Sequence, residues 1–294
     1  MKDRFGREIR SLRISVNNEC NLRCFYCHKE GHKANNRKLS PEDIEKIVRS
    51  SIKFGVKKVK ISGGEPLLRE DIVEIVGRIK NLGIEDLSLT TNGVLLKNIA
   101  KELKANGLDR VNISLFSLDE KKYRKYIGGN LEEVLESIKM ATKLFYPVKI
   151  NYVATKINVD EFYEIAEFCR EVNTILQVIE LIPTNSFLEK VYYDISKIEE
   201  EIKFKAKEVI IRKFQNRRKY ILNDGLEVEF VKPMDNSKFC QNCTRIRLTS
   251  DGYLKPCLLR DDNLIDIYKP LKRGEDLDRY LLECIKRREP YFKG

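Results

Sequence analysis

The chain has 294 residues, a length that suits one large α/β domain with an extension or two modest domains. Hydrophobic residues make up 42% of it, which excludes global disorder because a sizeable core can form. The formal net charge of +11 favours anionic partners such as nucleic acid, anionic lipid or phosphorylated small molecules. Charge alone does not choose among these three classes.

No apolar run approaches the roughly 20 residues that a membrane-spanning helix needs. Residues 1–7 also lack the apolar stretch of a secretory signal peptide. The sequence therefore predicts a cytoplasmic protein with no membrane partner. Because thiols stay reduced in that compartment, the eight cysteines are interpreted as metal ligands or buried residues rather than as a disulfide framework.

Strand and helix patterns alternate over residues 12–182. Strands are predicted at 12–16, 57–62, 86–91, 110–115, 147–154 and 176–182, with helices near 41–54, 70–82, 96–106, 130–145 and 159–172. Ser40 and Pro41 suit the N-cap and the first position of the first helix. Six such units imply parallel strands with right-handed crossovers, so an α/β fold is predicted: a partial (β/α)6, TIM-like barrel.

Alternation within the predicted strands separates an apolar face from a polar one. In the first strand, Arg13 lies on the face opposite Leu12 and Ile14. Lys60 and Lys149 take the corresponding polar positions in the second and fifth strands. Because the apolar face must pack against the helices, the cationic face should line the interior. Burying these cations unpaired would be costly, so a wet or ligand-filled lumen is predicted.

The pattern changes after residue 182, and residues 196–219 are densely charged. Two hairpins are predicted further on, one with strands 220–223 and 226–231 around Asn223-Asp224-Gly225, and one over 245–256 that turns at Asp251-Gly252. A helical segment follows at about 275–288. We therefore predict a barrel over 1–195 and a C-terminal α+β extension over 196–294.

Three cysteines follow the first strand, Cys20, Cys24 and Cys27, in a Cys-x3-Cys-x2-Cys spacing. Loops at the carboxyl ends of barrel strands are where such folds place their chemistry. Zinc would need a fourth ligand, which His28 or His32 could supply. A [4Fe–4S] cluster held by three cysteines would instead keep one iron open for a substrate or cofactor.

A second set of three cysteines, Cys240, Cys243 and Cys257, lies near the C-terminus. Zinc is an alternative here too, because Cys284 could supply a fourth ligand. Cys169 lies in an apolar helical pattern and is interpreted as part of the core.

Two arginines follow Cys243 at alternate positions. If residues 244–248 form a strand, Arg245 and Arg247 share a face with Cys243. Guanidinium groups bind phosphate through paired, charge-assisted hydrogen bonds. The pair therefore indicates a phosphorylated ligand beside the second metal site.

Taken in order, these motifs resemble the radical S-adenosylmethionine (SAM) superfamily. Its hallmark is the three-cysteine loop, which here carries the aromatic Tyr26 before the third cysteine. Gly63-Gly64-Glu65-Pro66 follows the second strand, where relatives let the backbone approach the methionine moiety of SAM, so a side chain on Gly64 should clash there. Thr90-Thr91-Asn92-Gly93 ends the third strand, and Ser114 lies near the end of the fourth.

Phe239 to Leu258 resembles the cluster motif of one family within that superfamily, the MoaA family of GTP 3′,8-cyclases. The match covers nearly the whole chain. It implies two [4Fe–4S] clusters, SAM as cofactor and GTP as substrate. The implied reaction converts GTP to (8S)-3′,8-cyclo-7,8-dihydroguanosine 5′-triphosphate, the first step of molybdopterin (molybdenum cofactor) biosynthesis. No acid–base pair is expected, because the cofactors supply the chemistry.

The resemblance also implies roles for individual residues. The first cluster would be held by Cys20, Cys24 and Cys27, and the second, whose open iron would bind the purine, by Cys240, Cys243 and Cys257. SAM contacts are implied for Tyr26, Gly64, Ser114 and Ile182. GTP contacts are implied for Arg13, Lys60, Thr91, Lys149, Arg245, Ile246 and Arg247. Relatives often carry arginine, methionine and a Gly-Gly tail where this chain has Lys60, Ile182 and Phe292-Lys293-Gly294.

The implied partners are GTP, an external electron donor and the next enzyme of molybdopterin synthesis, and a homodimer is left open. One alternative is a radical SAM enzyme that uses an auxiliary [4Fe–4S] cluster to modify a peptide, which would carry more C-terminal cysteines. The other is a zinc-containing nucleic-acid-binding protein, suggested by the basic residues 203–219. That second alternative leaves the Gly-Gly-Glu-Pro motif without a purpose, so nucleic acid is not favoured.

Overall fold

The computed structural model of the chain describes residues 1–234 and 236–290. Phe292-Lys293-Gly294 therefore lies outside the described residues. The strands, in chain order, are β1 (Ser11–Ser15), β2 (Lys58–Ser62), β3 (Asp86–Thr91), β4 (Arg110–Ser114), β5 (Lys149–Ala154), β6 (Ile175–Glu180), β7 (Ala206–Ile211), β8 (Arg218–Leu222), β9 (Glu227–Val231), β10 (Arg245–Leu248), β11 (Tyr253–Lys255) and β12 (Ile265–Asp266).

The helices are α1 (Pro41–Lys53), α2 (Ile72–Lys80), α3 (Leu96–Ala105), α4 (Glu120–Tyr126), α5 (Leu131–Leu144), α6 (Phe162–Glu171), α7 (Ser186–Val191), α8 (Ser196–Lys205), α9 (Ser237–Gln241), α10 (Tyr268–Lys272) and α11 (Asp278–Lys286). Ser40 and Asp43 cap α1 reciprocally, each side chain accepting a hydrogen bond from the other's backbone N–H. Pro41 occupies the first helical position, so the predicted start of this helix is confirmed.

Strands β1 to β6 lie side by side in chain order and run parallel, with helices in the connections. This arrangement confirms the predicted partial (β/α)6 barrel. The C-terminal strands extend the same sheet on both sides, since β9 pairs parallel with β6 and β10 pairs parallel with β1. The extension thereby brings the two ends of the chain together. The division at residue 195 stays a prediction.

Both predicted hairpins are present. β8 and β9 pair antiparallel, as do β10 and β11, and each pair is joined by the predicted turn. A third strand, β7, pairs antiparallel with β8 at the edge of the sheet and was not predicted. Most of its side chains are exposed, so it lacks the alternation of apolar and polar residues that marks a half-buried strand.

The apolar strand faces form the core, as predicted. Leu12, Ile14, Val59 and Ile61 are each at most 1% exposed where the sheet packs against its helices. Cys169 on α6 is fully buried in this core, in agreement with its interpretation. Within residues 1–234 and 236–290, none of the helices combines the length and apolar character needed to cross a membrane.

Candidate active site

A cavity of about 370 Å³ lies at the carboxyl ends of the barrel strands. Its lining includes both cysteine sets, Cys20, Cys24 and Cys27 from the first loop and Cys240, Cys243 and Cys257 from the C-terminal extension. The structure therefore brings the two sets to one chamber, although more than 200 residues separate them in the sequence.

Backbone pairing and aromatic packing hold the first cysteine loop. The N–H groups of Arg23 and Phe25 donate to the carbonyls of Ile127 and Tyr126, at 2.9 and 3.3 Å. The Phe25 ring packs edge-on against the Phe116 and Tyr126 rings, with centroids 5.4 and 5.5 Å apart. These contacts with residues 116, 126 and 127 hold the loop in place while its cysteines line the cavity.

The thiols of this loop are close enough to affect each other's ionisation. Burial raises the pKa of Cys20, and burial together with Cys27 and Cys20 raises the pKa of Cys24 to about 12. Three thiolates here would repel one another unless a cationic centre neutralised them. A three-thiolate iron–sulfur cluster fits this donor set because it would offset both the repulsion and the burial.

The two histidines near this loop differ in their contacts. His32 lies 3.0 Å through Nε2 from Oδ1 of Asp251, and its ring packs against Tyr253. It is therefore bound to the C-terminal hairpin rather than to the cysteines. His28 lines the cavity, and burial lowers its pKa.

The Gly-Gly-Glu-Pro segment is bonded to the residues that precede Cys20. Gly64 N–H donates to the Asn17 carbonyl at 3.0 Å, and Glu65 N–H donates to the Glu19 carbonyl at 2.7 Å. The buried Glu65 carboxylate accepts hydrogen bonds from Thr91 Oγ1 and from the backbone N–H of residue 92, both at 2.7 Å. Burial raises the pKa of Glu65. The ends of β2 and β3 are thus connected to the cysteine loop.

All four residues assigned to SAM by the resemblance, Tyr26, Gly64, Ser114 and Ile182, line the cavity. Burial raises the pKa of Tyr26 well above its usual range, so its hydroxyl stays protonated. The four residues therefore share one cavity with the first cysteine set.

Gly64→Ala is expected to weaken both SAM binding and iron incorporation at the first loop. A Cβ on Gly64 would lie 2.1 Å from the Glu19 carbonyl oxygen and 2.6 Å from that of Asn18, so the segment before Cys20 must move. Such overpacking typically costs about 1–3 kcal/mol. Calorimetry with SAM and iron analysis of anaerobically reconstituted protein provide the measurement.

The matched control for this variant is Gly77→Ala. Gly77 lies within α2, and its new Cβ would come no closer than 3.3 Å to the Asn106 side chain. Wild-type iron content and SAM affinity are expected for it. The same two results in Gly64→Ala would show that contact between residues 17–19 and the glycine segment does not shape the site.

Buried charges hold the second cysteine loop. Asp3 pairs with Arg7 at 2.8 Å and with Arg288 at 2.9 Å, and these arginines donate to the Cys240 and Cys243 carbonyls respectively. Residues from both ends of the chain therefore fix this loop. Breaking such a buried pair by removing one partner typically costs about 3–5 kcal/mol.

The environment of Cys243 favours a thiolate. Burial alone would raise its pKa, but Arg288, Arg245 and Arg247 outweigh burial and lower it. Cys284, the fourth zinc ligand considered from the sequence, is fully buried in the core on α11 and does not line the cavity. The structure therefore keeps Cys284 apart from the other three.

Register between strands places three cations side by side on the lumen face. Arg247 of β10 lies opposite Arg13 of β1, which lies opposite Lys60 of β2. Neighbouring strands are about 4.8 Å apart, and like charges directly opposite destabilise a sheet. Arg13 and Arg247 share one counter-ion, the carboxylate of Glu30.

Lys60 and Arg245 have no carboxylate partner among residues 1–234 and 236–290. Burial and the neighbouring Arg110 and Arg13 hold the pKa of Lys60 well below its usual range. Arg245 donates to Ser11 Oγ at 3.3 Å, and its guanidinium lies 4.8 Å from the centre of the Phe214 ring. We call Arg13, Lys60, Arg245 and Arg247 the cationic group; its charges are suited to a polyanion.

Two of the residues assigned to GTP do not line the cavity. Lys149 is buried and forms an ion pair with Glu229, which also binds Arg212 and Arg217. Burial lowers the pKa of Lys149 to about 8. Ile246 is fully buried in the core, because it faces away from its neighbours on β10. Thr91, by contrast, lines the cavity.

Several cavity residues were missed from the sequence. Asn151 and Gln177 form a lumen row in register with Ser114, and the Gln177 amide donates to Asn151 Oδ1 at 2.7 Å. The alternation that puts Lys149 on the lumen face also puts Asn151 there, and the same alternation in β6 could have found Gln177. Arg217 and Glu30 carry no such signal, because one lies in a charge-dense stretch and the other in an irregular turn.

Two family models match almost the whole chain: the radical SAM superfamily over residues 14–169 and the family described as Molybdenum Cofactor Synthesis C over 174–294. A Methanocaldococcus jannaschii protein named "Probable GTP 3′,8-cyclase" is 60% identical, and the alignment covers 100% of this chain and 99% of that protein. The chain belongs to the GTP 3′,8-cyclase family. A relative of the same name from Pyrococcus horikoshii is 51% identical over 99% of this chain and 97% of its own length.

As a member of the GTP 3′,8-cyclase family, this chain is a radical SAM enzyme whose cofactors include SAM and an iron–sulfur cluster. This membership confirms the predicted family.

Solved structures share the fold at low sequence identity. SuiB of Streptococcus suis bound to S-adenosylmethionine has a TM-score of 0.65 at 21% identity, covering 85% of this chain and 58% of that one. This chain thus spans less than two thirds of SuiB. The SAM-bound structure of anSMEcpe with the Kp18Cys peptide has a TM-score of 0.56 at 18% identity, covering 93% and 83%. At this sequence identity, the structural similarity supports the fold and says nothing about substrate.

Proposed function

We propose that this chain converts GTP to (8S)-3′,8-cyclo-7,8-dihydroguanosine 5′-triphosphate, the first step of molybdopterin biosynthesis. The observation that carries the proposal is the cationic group between two cysteine triplets in one cavity. Triphosphate charge would be offset there, because Lys60 and Arg245 have no carboxylate partner within the described part of the chain. The names of the M. jannaschii and P. horikoshii relatives support the same substrate.

Each cysteine triplet is proposed to hold a [4Fe–4S] cluster with one open iron. When bound, the first cluster and SAM supply a one-electron reductive cleavage whose radical product abstracts hydrogen from an unactivated C–H bond. The protein's own contribution is to position and enclose the ligands. Tyr26, Gly64, Ser114 and Ile182, which all line the cavity, are proposed to contact SAM.

GTP is proposed to bind in the same cavity, where the cationic group and both cysteine sets contribute to the lining. Arg13, Lys60, Arg245 and Arg247 are proposed to bind the phosphates, with Thr91 beside them and the purine at the second cysteine set. In a cavity closed to bulk water each charge interaction is stronger than in solution. Closing the cavity also protects a radical from side reactions.

The side chains of Lys149 and Ile246 do not line the cavity, so these two residues could not contact GTP as the cationic group does. Lys149 would first have to leave Glu229, to which it is bonded beneath the cavity. Ile246 could offer only backbone atoms, because its side chain lies in the core. Arg217 also pairs with Glu229 but, unlike Lys149, it lines the cavity, where it donates to Gln177 Oε1 at 3.3 Å.

The reaction also requires partners that this chain does not contain. An external donor must reduce the first cluster, and the next enzyme of molybdopterin synthesis must take up the product.

Anaerobic reconstitution tests the proposal. Two clusters predict about eight iron and eight sulfide per chain, with zinc absent. GTP carrying deuterium at C3′, incubated with SAM and dithionite, should transfer that deuterium into 5′-deoxyadenosine and yield a new nucleotide of unchanged heavy-atom composition. ATP should give neither result. Zinc in place of iron, or transfer only when a peptide is supplied, would instead support one of the alternatives.

A further inference from the structure

Glu30 lies in a turn whose backbone is held in an uncommon conformation. Lys29, Glu30 and Gly31 have φ values of 48°, 52° and 62°, and L side chains rarely adopt this left-handed region. The Gly31 carbonyl accepts a hydrogen bond from the buried Lys255 Nζ at 2.6 Å, and a Cβ on Gly31 would lie 2.2 Å from the Leu258 carbonyl oxygen. The C-terminal extension therefore fixes where the Glu30 carboxylate points.

The Glu30 carboxylate points between two members of the cationic group. One oxygen accepts from Arg13 and the other from Arg247 at 3.1 Å. Burial alone would raise the pKa of Glu30, but these arginines outweigh it and lower the pKa to about 2. The Glu30 carboxyl is thus fully ionised at neutral pH.

Other carboxylates that line the cavity are engaged elsewhere. Glu65 binds Thr91, Glu180 binds Tyr192, and Glu289 binds Arg4. Among residues 1–234 and 236–290, Glu30 alone forms ion pairs with the cationic group.

We infer that Glu30 is an internal competitor for the phosphate chain: it pairs with Arg13 and Arg247 until a polyphosphate displaces it, and so sets the affinity for that chain. The inference rests on the proposed function in that GTP is the ligand that carries the phosphates. A phosphate that reached both guanidiniums would meet the carboxylate at the same place. Because two anions in contact in a buried site repel each other, the ionised carboxylate opposes the binding of the phosphate.

When no phosphate is bound, Glu30 provides a counter-ion among the neighbouring cations Arg13, Arg247 and Lys60. Every ligand that needs the two arginines then has to displace Glu30 first. Ligands without phosphates do not need them. The carboxylate therefore acts on the phosphate chain and not on the nucleoside.

The test compares ligands in anaerobically reconstituted holoenzyme. Glu30→Gln keeps the size of the side chain and removes its charge, whereas Glu30→Gly also removes the strain of a left-handed side chain. The matched control is Glu227→Gln, which removes an equivalent carboxylate from Lys219 on the β8–β9 hairpin, outside the cavity lining. Calorimetry measures the affinities for GTP, tripolyphosphate and guanosine.

Both Glu30 variants are expected to bind GTP and tripolyphosphate about tenfold more tightly than the wild type, equivalent to about 1.4 kcal/mol. Guanosine affinity should not change, and Glu227→Gln should match the wild type for all three ligands. Iron content and thermal unfolding report whether each variant has folded.

Unchanged or weaker tripolyphosphate binding in folded Glu30 variants would overturn the inference. So would an equal gain for guanosine, because the carboxylate would then act on the whole cavity. The proposed function fails separately, through the absence of cyclised product in the wild type. Tighter tripolyphosphate binding without any cyclised product would support the inferred role of Glu30 and contradict the proposed cyclase activity.

Discussion

Replacing Cys20, Cys24 and Cys27 together by alanine is expected to halve the iron content of the reconstituted protein and to abolish SAM cleavage. These thiols share one loop, and burial together with repulsion from the neighbouring thiolates raises the pKa of Cys20 and of Cys24, which disfavours both thiolates without a cationic centre. Without them the open iron proposed for SAM is lost. Iron and sulfide analysis and chromatographic detection of 5′-deoxyadenosine with dithionite measure both effects.

Two cysteine variants serve as controls. Cys169→Ala removes a thiol from the core on α6, so it should cost roughly 1 kcal/mol of stability and no iron. Replacing Cys240, Cys243 and Cys257 should also halve the iron while leaving SAM cleavage without GTP intact. If dithionite-dependent cleavage persisted when the first set was missing, the assignment of the SAM cluster to that loop would be wrong.

Local order in the barrel could be predicted because its signals are short-range. The first strand was predicted at 12–16 and is found at Ser11–Ser15, and the first helix was predicted at 41–54 and is found at Pro41–Lys53. Alternation and capping both act within a few residues. β7 was missed because an exposed edge strand does not need an apolar face.

The register between distant strands could not be read from the sequence. Arg247 lies beside Arg13 because β10 pairs with β1, although 234 residues separate them. Alternation correctly placed both on polar faces, and β10 confirms that Arg245 and Arg247 share one face. It could not show that Lys149 lies beneath the cavity beside Glu229.

Counter-ions in irregular segments were equally inaccessible. Glu30 lies in a turn that carries no periodic pattern, and its partners come from β1 and β10. A buried cation without a carboxylate partner is available to an anionic ligand, whereas a paired one must first exchange its partner. A role in GTP binding was predicted for Arg13 and Arg247, but the carboxylate that pairs with both of them was not predicted.

Arg245→Ala is expected to weaken GTP binding by about ten- to hundredfold and to suppress cyclised product. Arg245 faces the cavity without a carboxylate partner in the described structure, so its charge is available to a phosphate. Losing one charge-assisted hydrogen bond typically costs roughly 1.5–3 kcal/mol, which corresponds to that range. SAM cleavage without GTP should continue, because that chemistry is proposed to take place at the first cysteine loop.

Arg247→Ala should weaken GTP binding by a similar factor, for a partly different reason. It removes a phosphate ligand and also leaves the Glu30 carboxylate with Arg13 as its remaining arginine partner. Adding Glu30→Gln to Arg247→Ala should therefore increase GTP affinity by more than the tenfold expected in the wild type, whereas adding it to Arg245→Ala should give no more than tenfold. This comparison separates direct phosphate binding from the effect of the internal carboxylate.

The control for both arginines is Arg218→Ala, on the exposed part of β8. Its side chain is 54% exposed and lies 3.6 Å from Glu199, outside the cavity lining. GTP affinity should not change in this variant. A nucleic-acid-binding protein would show the reverse pattern, with GTP affinity intact in all three arginine variants and RNA binding reduced with a shallower dependence on salt. Wild-type GTP affinity in Arg245→Ala, with full iron content, would remove the structural support for a phosphorylated substrate.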